Sequence, residues 1–266
     1  MRSTMRVLTT LLLSAVAIPA FATDLTIVSK VSRNDAPPQT TTSYISDDHV
    51  RMSHGEGKET IVDFKLGQST TLDNKKKTYY VTTRQDMDAF AARMKEQMNS
   101  PEMKKMQEQM KNMPADQQKA MGGMFTVDVH DAGTSRKVAG YTCETWIMKM
   151  GQMSTTEECL TNDLQYPAQA WTMYKNFAET MQSAMSAMGP MAKNVSSMQE
   201  QMKKMKGFPL ATTTTLDIMG RKMVSTSEVT EVRKGPVPAS AWEVPSGYTK
   251  VDNPMLTAMT RSRTRK

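Results

Sequence analysis

The sequence predicts an α+β protein in which strands and helices are segregated along the chain. Three observations predict it. Apolar and polar residues alternate over 24–84 between recurrent turn residues, the apolar period changes to three and four where methionines dominate, and the only two cysteines lie in a hairpin between two methionine-laden segments. No long linker or repeat divides the chain, so one domain is expected over 23–252.

At the start of the chain, Arg2 and Arg6 precede the apolar run Val7–Ile18, and Pro19 is followed by Ala20-Phe21-Ala22. A charged region, an apolar region and a small-residue cleavage site in that order read as a secretory signal over 1–22. The run is shorter than the roughly 20 residues a membrane span requires. A mature protein beginning at Thr23 is therefore expected in the periplasm, soluble, and not lipidated, since no cysteine follows the cleavage site.

Residues 24–84 read as a meander of antiparallel strands. Leu25, Ile27 and Val31 share one face of a first strand, Val62, Phe64 and Leu66 one face of another, and Tyr79, Tyr80 and Val81 belong to a third. Turn residues separate them at Asn34-Asp35-Ala36-Pro37-Pro38, Gly55-Glu56-Gly57, Gly67-Gln68 and Asp73-Asn74. From Asp86 the positions Met87, Phe90, Ala91, Met94 and Met98 step by three and four. After the cap Ser100 and Pro101, Met103, Met106, Met110 and Met113 continue the stripe, which predicts helices over about 86–121. Phe125, Val127 and Val129 then resume β alternation.

The segment from Gly140 to Cys159 reads as a hairpin turning near Gly151. Folding about Gly151 places Cys143 opposite Cys159. Export makes this lone pair a disulfide, and closing a loop of about 15 residues stabilises by about 3 kcal/mol in the chain-entropy treatment. A reactive or metal-binding pair is disfavoured by the absence of Cys-x-x-Cys spacing and of a nearby His.

Pro167 opens a second helical region, 168–206, where Trp171, Tyr174, Phe177, Met181, Met185 and Met188 keep to one stripe, resumed by Met198, Met202 and Met205. Gly207 and Pro209 end it. Thr212–Ile218 and Lys222–Val232 form a hairpin about Gly220, and Trp242 to Tyr248 closes the fold. The tail 253–266 carries Arg261, Arg263, Arg265 and Lys266, which stay solvated or touch anionic lipid.

Arg51 in a strand, Asp73 ahead of Lys77-Thr-Tyr79, Val138-Ala-Gly-Tyr-Thr-Cys143, and Trp242-Glu-Val-Pro-Ser-Gly-Tyr248 resemble a family of exported bacterial proteins of unknown function, itself similar in fold to the LolA/LolB-like lipoprotein carriers. The resemblance spreads over most of the mature chain. It implies a curved antiparallel half-barrel whose open side is covered by helices, and it supplies no catalytic residues. The long Met-rich segments depart from LolA itself.

Of the 27 methionines, all but Met1 and Met5 lie beyond the signal region, most on the helical stripes. Such stripes pack as a core face, or form an adaptable surface for varied apolar partners. The second reading makes Met94, Met98, Met106, Met110, Met181, Met185, Met202 and Met205 a groove for an acyl chain or other apolar ligand. A third is Cu(I) held by Met148, Met150 and Met153, because thioethers select Cu(I). The histidines do not support it: His130 points outward from its strand, and His49 and His54 point to opposite faces. A fourth is an oxidant sink, reversible through sulfoxide reduction.

Enzyme readings find no anchor. Asp47-Asp48 and Glu157-Glu158 diverge in a strand and read as solvated charge, and no Gly-x-Ser-x-Gly, His-Glu-x-x-His or glycine-rich phosphate loop occurs. The formal charge of +7 falls to +5 when Arg2 and Arg6 leave, and only 6% of residues are aromatic, which with export excludes nucleic acid. Asn194-Val195-Ser196 is a glycosylation acceptor only in a host that uses one. The expectation is a non-enzymatic carrier without cofactor, the alternatives being a Cu(I)-binding or oxidant-buffering protein and a purely structural envelope domain.

Overall fold

The structure is a computed structural model and describes residues 24–34, 36–114, 126–170, 172–173, 175, 200–218, 220–254 and 256–257. The signal region, the tail from 258, the glycosylation triplet and the methionines Met181, Met185, Met188 and Met198 lie outside the described residues.

Six strands come first: β1 (Leu25–Arg33), β2 (Gln39–Ile45), β3 (His49–Gly55), β4 (Lys58–Asp63), β5 (Gln68–Asp73) and β6 (Thr78–Thr82). Two helices follow, α1 (Arg84–Met98) and α2 (Pro101–Lys111). Then come β7 (Val127–Val138), β8 (Tyr141–Met150), β9 (Ser154–Thr161), β10 (Phe208–Ile218), β11 (Arg221–Lys234), a 3-10 turn at Ala239–Trp242, and β12 (Thr249–Lys250).

All twelve strands form one sheet in the order β12-β6-β5-β4-β3-β2-β1-β11-β10-β9-β8-β7. Every pair is antiparallel except β12 with β6. Two meanders, β1 to β6 and β7 to β11, are thus joined where β1 pairs with β11. This order sets the route of the helical segment. It leaves β6 near one end of the sheet and arrives at β7, the opposite edge, so it must travel the breadth of the sheet. The segment 162–207 instead connects the neighbours β9 and β10.

The sheet curls. Arg136 on β7 and Glu228 on β11 are four strands apart, roughly 19 Å in a flat sheet, yet their side chains pair at 2.8 Å. The main core gathers Leu25, Ile27, Ile45, Val50, Phe208, Leu210 and Val229 with the disulfide. On the other face of β3 to β5, Ile61 and the fully buried Leu72 lie beneath the C-terminal segment.

That segment is tied down by a chain of hydrogen bonds. Arg51 donates from Nε to Glu59 Oε2 at 2.7 Å and from Nη1 to the Ala241 carbonyl at 2.9 Å. Asn74 donates to the other Glu59 oxygen at 2.9 Å and accepts from the Tyr248 hydroxyl at 2.8 Å. Trp242 stacks on His49, centroids 5.2 Å apart, and meets Tyr44 edge-on. The motif residues Arg51 and Trp242-to-Tyr248 therefore have a structural role: they fasten the chain end to the sheet.

Several sequence expectations are corrected. Val62, Phe64 and Leu66 do not share a strand face, because β4 ends at Asp63, whose Oδ1 accepts from the Leu66 amide at 2.9 Å and closes a turn. Leu66 is 66% exposed and the buried residue of β4 is Ile61. The stapled hairpin turns through Gly151, Gln152 and Met153, with Met150 opposite Ser154, so Cys159 faces Thr145 rather than Cys143. The cysteines are nonetheless bonded across the diagonal, Cα atoms 5.2 Å apart. Strand twist shortens one diagonal of an antiparallel pair, which brings them within disulfide range.

The first helical region is interrupted. Ser100 caps α2, its Oγ accepting from the Met103 amide at 3.3 Å. Thr83 caps α1 through a capping box with Asp86, whose carboxyl is held below its ordinary range first by the Thr83 backbone N–H. The chain from 115 to 125 lies outside the described residues, as does most of 168–206, of which 168–170 and 200–202 are helical.

Candidate functional site

A pocket of about 210 Å³ opens on the face of the sheet that carries Ile27, Ile45 and Val50. Its floor is apolar: Ile27, Ile45, Val50, Phe208, Leu210 and Val229 are each buried. The lining also carries the polar side chains of Ser29, Ser43, Ser227, Thr212 and His54. An apolar cavity of about 150 Å³ already accommodates a benzene ring, so this one admits a small apolar group or the end of a chain.

The strands that build it explain its shape. Val50 and Met52 stand on β3 and Leu210 on β10, four strands away in the sheet order, and they line one pocket because the sheet curls between them. The bulge between Pro209 and Ala211 on β10 turns that strand at its first residues. Gly207 precedes it with φ +122, where a Cβ would stand 2.8 Å from the Thr161 carbonyl oxygen, so only glycine lets the chain enter β10 this close to β9.

The pocket lining includes an aromatic pair, and a carboxyl group stands on the strand beside it. The rings of Tyr166 and Phe208 lie 4.8 Å apart at a tilt of 31°. Glu158 stands on β9 between Trp146 of β8 and Thr212 of β10, which are its cross-strand partners and share its face. It is half-buried, and burial raises its pKa. Burial, and then the charge of Glu158, push the Tyr166 hydroxyl up to about 12. Among the described residues Glu158 has no ion-pair or hydrogen-bond partner for its side chain, so the sequence expectation of a solvated carboxylate is corrected.

The pocket lining includes Met52 and none of Met94, Met98, Met106, Met202 or Met205. Met94 and Met98 are half-buried on α1, Met106 is 45% exposed on α2, and Met202 and Met205 are half-buried near the entry to β10. The side chain of Met110, like Met181 and Met185, lies outside the described residues. Met148 and Met150 share one face of β8, opposite Thr156 and Ser154, while Met153 sits exposed in the turn. His130 bonds Asp128 on an exposed face, and His49 and His54 lie on opposite faces of β3.

Sequence reasoning missed the residues that form the pocket. Ile27 was visible as a buried strand position, but Phe208, Leu210 and Tyr166 gave no periodic signal, since they border a helical segment and a bulge. Gly207-Phe208-Pro209 read as a helix stop. Its conformational constraint was the available clue.

No curated protein matches the sequence. Among solved structures the chain is similar to PNGF-II, at 12% identity and TM-score 0.38, covering 89% of this chain and 32% of that one. It is similar to MucB in the Pseudomonas aeruginosa MucA/MucB complex, at 12% identity and TM-score 0.32, covering 84% and 56%. A LolA-superfamily protein from Nitrosomonas europaea aligns at 7% identity and TM-score 0.16 over 85% and 91%. The chain thus spans about a third of the first and somewhat over half of the second, and at these TM-scores none carries an argument about function. The family comparison is decisive where these are not: residues 56–248, from the β3–β4 turn to Tyr248 of the C-terminal clasp, match the domain of unknown function DUF4412, and the chain belongs to that family.

Proposed function

We propose that this is a non-enzymatic, exported binding protein that carries an apolar ligand, an acyl chain or similar group, on the concave side of its sheet. The observation that carries the reading is the pocket itself: six buried apolar residues from β1, β2, β3, β10 and β11 converge on an open cavity. The sheet is read as a half-barrel, and the methionine helices as its adaptable cover. The segment holding α1 and α2 connects β6, near one end of the strand order, with β7 at the other. On α1 the residues Met87, Phe90, Met94 and Met98 are half-buried while the opposite face is exposed, the pattern of an amphipathic helix.

The periplasm is the proposed compartment, in keeping with the signal-like start and the disulfide. Native mass spectrometry of protein taken from its own envelope tests the reading. A co-purifying lipid or acyl compound is expected. Protein free of any ligand, which also fails to take up an uncharged apolar dye saturably, overturns it.

A further inference from the structure

The pocket's charges say what kind of molecule it suits. Its lining contains no lysine or arginine among the described residues, and His54 is its one basic side chain, so it offers no permanently charged partner to the carboxylate of a fatty acid or a phosphate head. What stands beside it is a carboxyl group. Glu158 shares its face of the sheet with Thr212, which lines the pocket, and Tyr166, another lining residue, is close enough to feel its charge. Across the β8–β9 ladder the directly opposite residue is Trp146. A half-buried carboxylate with an indole opposite it on the same face of the sheet, and an apolar lining beside it, is a surrounding that favours a cation: the carboxylate pairs with the positive charge and an aromatic face attracts it.

We propose that the ligand of this groove is a single-chain amphiphile with a cationic nitrogen head, the head held by Glu158, Trp146 and Tyr166 and the chain lying on Phe208, Leu210 and Ile27. The inference rests on the carrier reading above and names the chemistry of its cargo. Burial disfavours the charged form of Glu158 in the empty protein. A bound cation supplies the missing counter-charge, so the carboxylate that weakens the empty groove strengthens the occupied one. An anionic head meets the opposite situation, since it adds a like charge beside Glu158 with no lysine or arginine in the described lining.

Three probes with the same dodecyl chain separate the head group from the tail: dodecyltrimethylammonium, dodecanol and laurate, each titrated below its micelle concentration by displacement of an uncharged apolar dye. Dodecyltrimethylammonium is expected to bind about tenfold tighter than dodecanol, a difference of about 1.4 kcal/mol, and laurate more weakly than either. Glu158→Gln should bring the ammonium probe to the level of dodecanol. The ranking with the unaltered protein is a test that needs no variant. Saturable dodecanol binding with no preference for the ammonium, or a preference for laurate, overturns the head-group assignment and leaves the carrier reading standing. An ammonium preference that survives in the Glu158→Gln protein overturns the assignment in the same way. If none of the three probes displaces the dye, the carrier reading falls, and this inference with it.

Discussion

The ring of Tyr166 lies against that of Phe208 with 4.8 Å between centroids, and both rings line the apolar pocket. Phe208 is 4% exposed and belongs to the main core, so its removal affects fold and pocket together. Phe208→Ala should cost about 3–5 kcal/mol of stability, read as a lower midpoint in denaturant at an unchanged slope. Loss below about 1 kcal/mol would mean that the pair is peripheral to the core.

Glu158 predicts a pH dependence of stability. Burial raises its folded-state pKa above the ordinary 4.5. Between the unfolded and folded values the native protein therefore holds more protons than the unfolded chain, and stability falls as pH rises through that window. The groups beside it, Trp146, Thr212 and Tyr166, do not charge there. Glu158→Gln should be more stable than the wild type above this window and lose that advantage below pH 4.5. Denaturant titrations at several pH values check this; a variant less stable at neutral pH would show that the carboxylate is stabilised by contacts.

The Arg51 clasp predicts where the chain end comes loose. Arg51 and Glu59 are 14% and 21% exposed and share hydrogen bonds that reach Ala241, Asn74 and Tyr248. Arg51→Ala leaves the Glu59 carboxylate half-buried and the Ala241 carbonyl without its donor, a cost of about 2–3 kcal/mol. Trp242 should report it, with red-shifted emission and earlier proteolysis after residue 235. Unchanged Trp242 emission would contradict the clasp.

Much of this fold was legible from alternation and turn chemistry. The hairpin turns at Gly55-Glu56-Gly57 and around Gly220, the cap at Ser100 and the cysteine pair follow from side chains acting on their own backbone. What was not legible follows from tertiary packing. Ile61 and Val62 are adjacent apolar residues on a strand with material on both faces, so the period could not tell which points to the C-terminal segment. The stapled hairpin needed a turn of three residues rather than one, and nothing within 140–159 distinguishes them. Phe208 and Leu210 became pocket residues only because the sheet curls β10 toward β3. The expected methionine groove drew on helical stripes, whereas the pocket draws on strands, with Met52 alone contributed from the methionines among its described lining.

The cysteine pair predicts that denatured, unreduced protein shows no reactive thiols. Replacing both Cys143 and Cys159 by alanine should cost about 3 kcal/mol. Two titratable thiols in the oxidised protein would contradict the bond.

Met148, Met150 and Met153 predict no tight copper binding, since two share a strand face, the third lies in the turn, and no imidazole stands among them. Cu(I) titrated against a competing chelator should stay with the chelator. Uptake of one equivalent that vanishes in a Met148→Leu, Met150→Leu variant would establish the copper site instead.

The carrier reading is tested most directly by filling the pocket. Ser43 stands on β2 in its lining, half-buried, with a side chain small enough that a larger one would enter the cavity. An uncharged apolar dye should bind the native protein saturably, and the Ser43→Trp variant should bind it at least tenfold more weakly, about 1.4 kcal/mol, while unfolding at the same denaturant concentration. Equal dye binding by both folded proteins, or no saturable binding by the native one, would contradict a ligand site in this pocket.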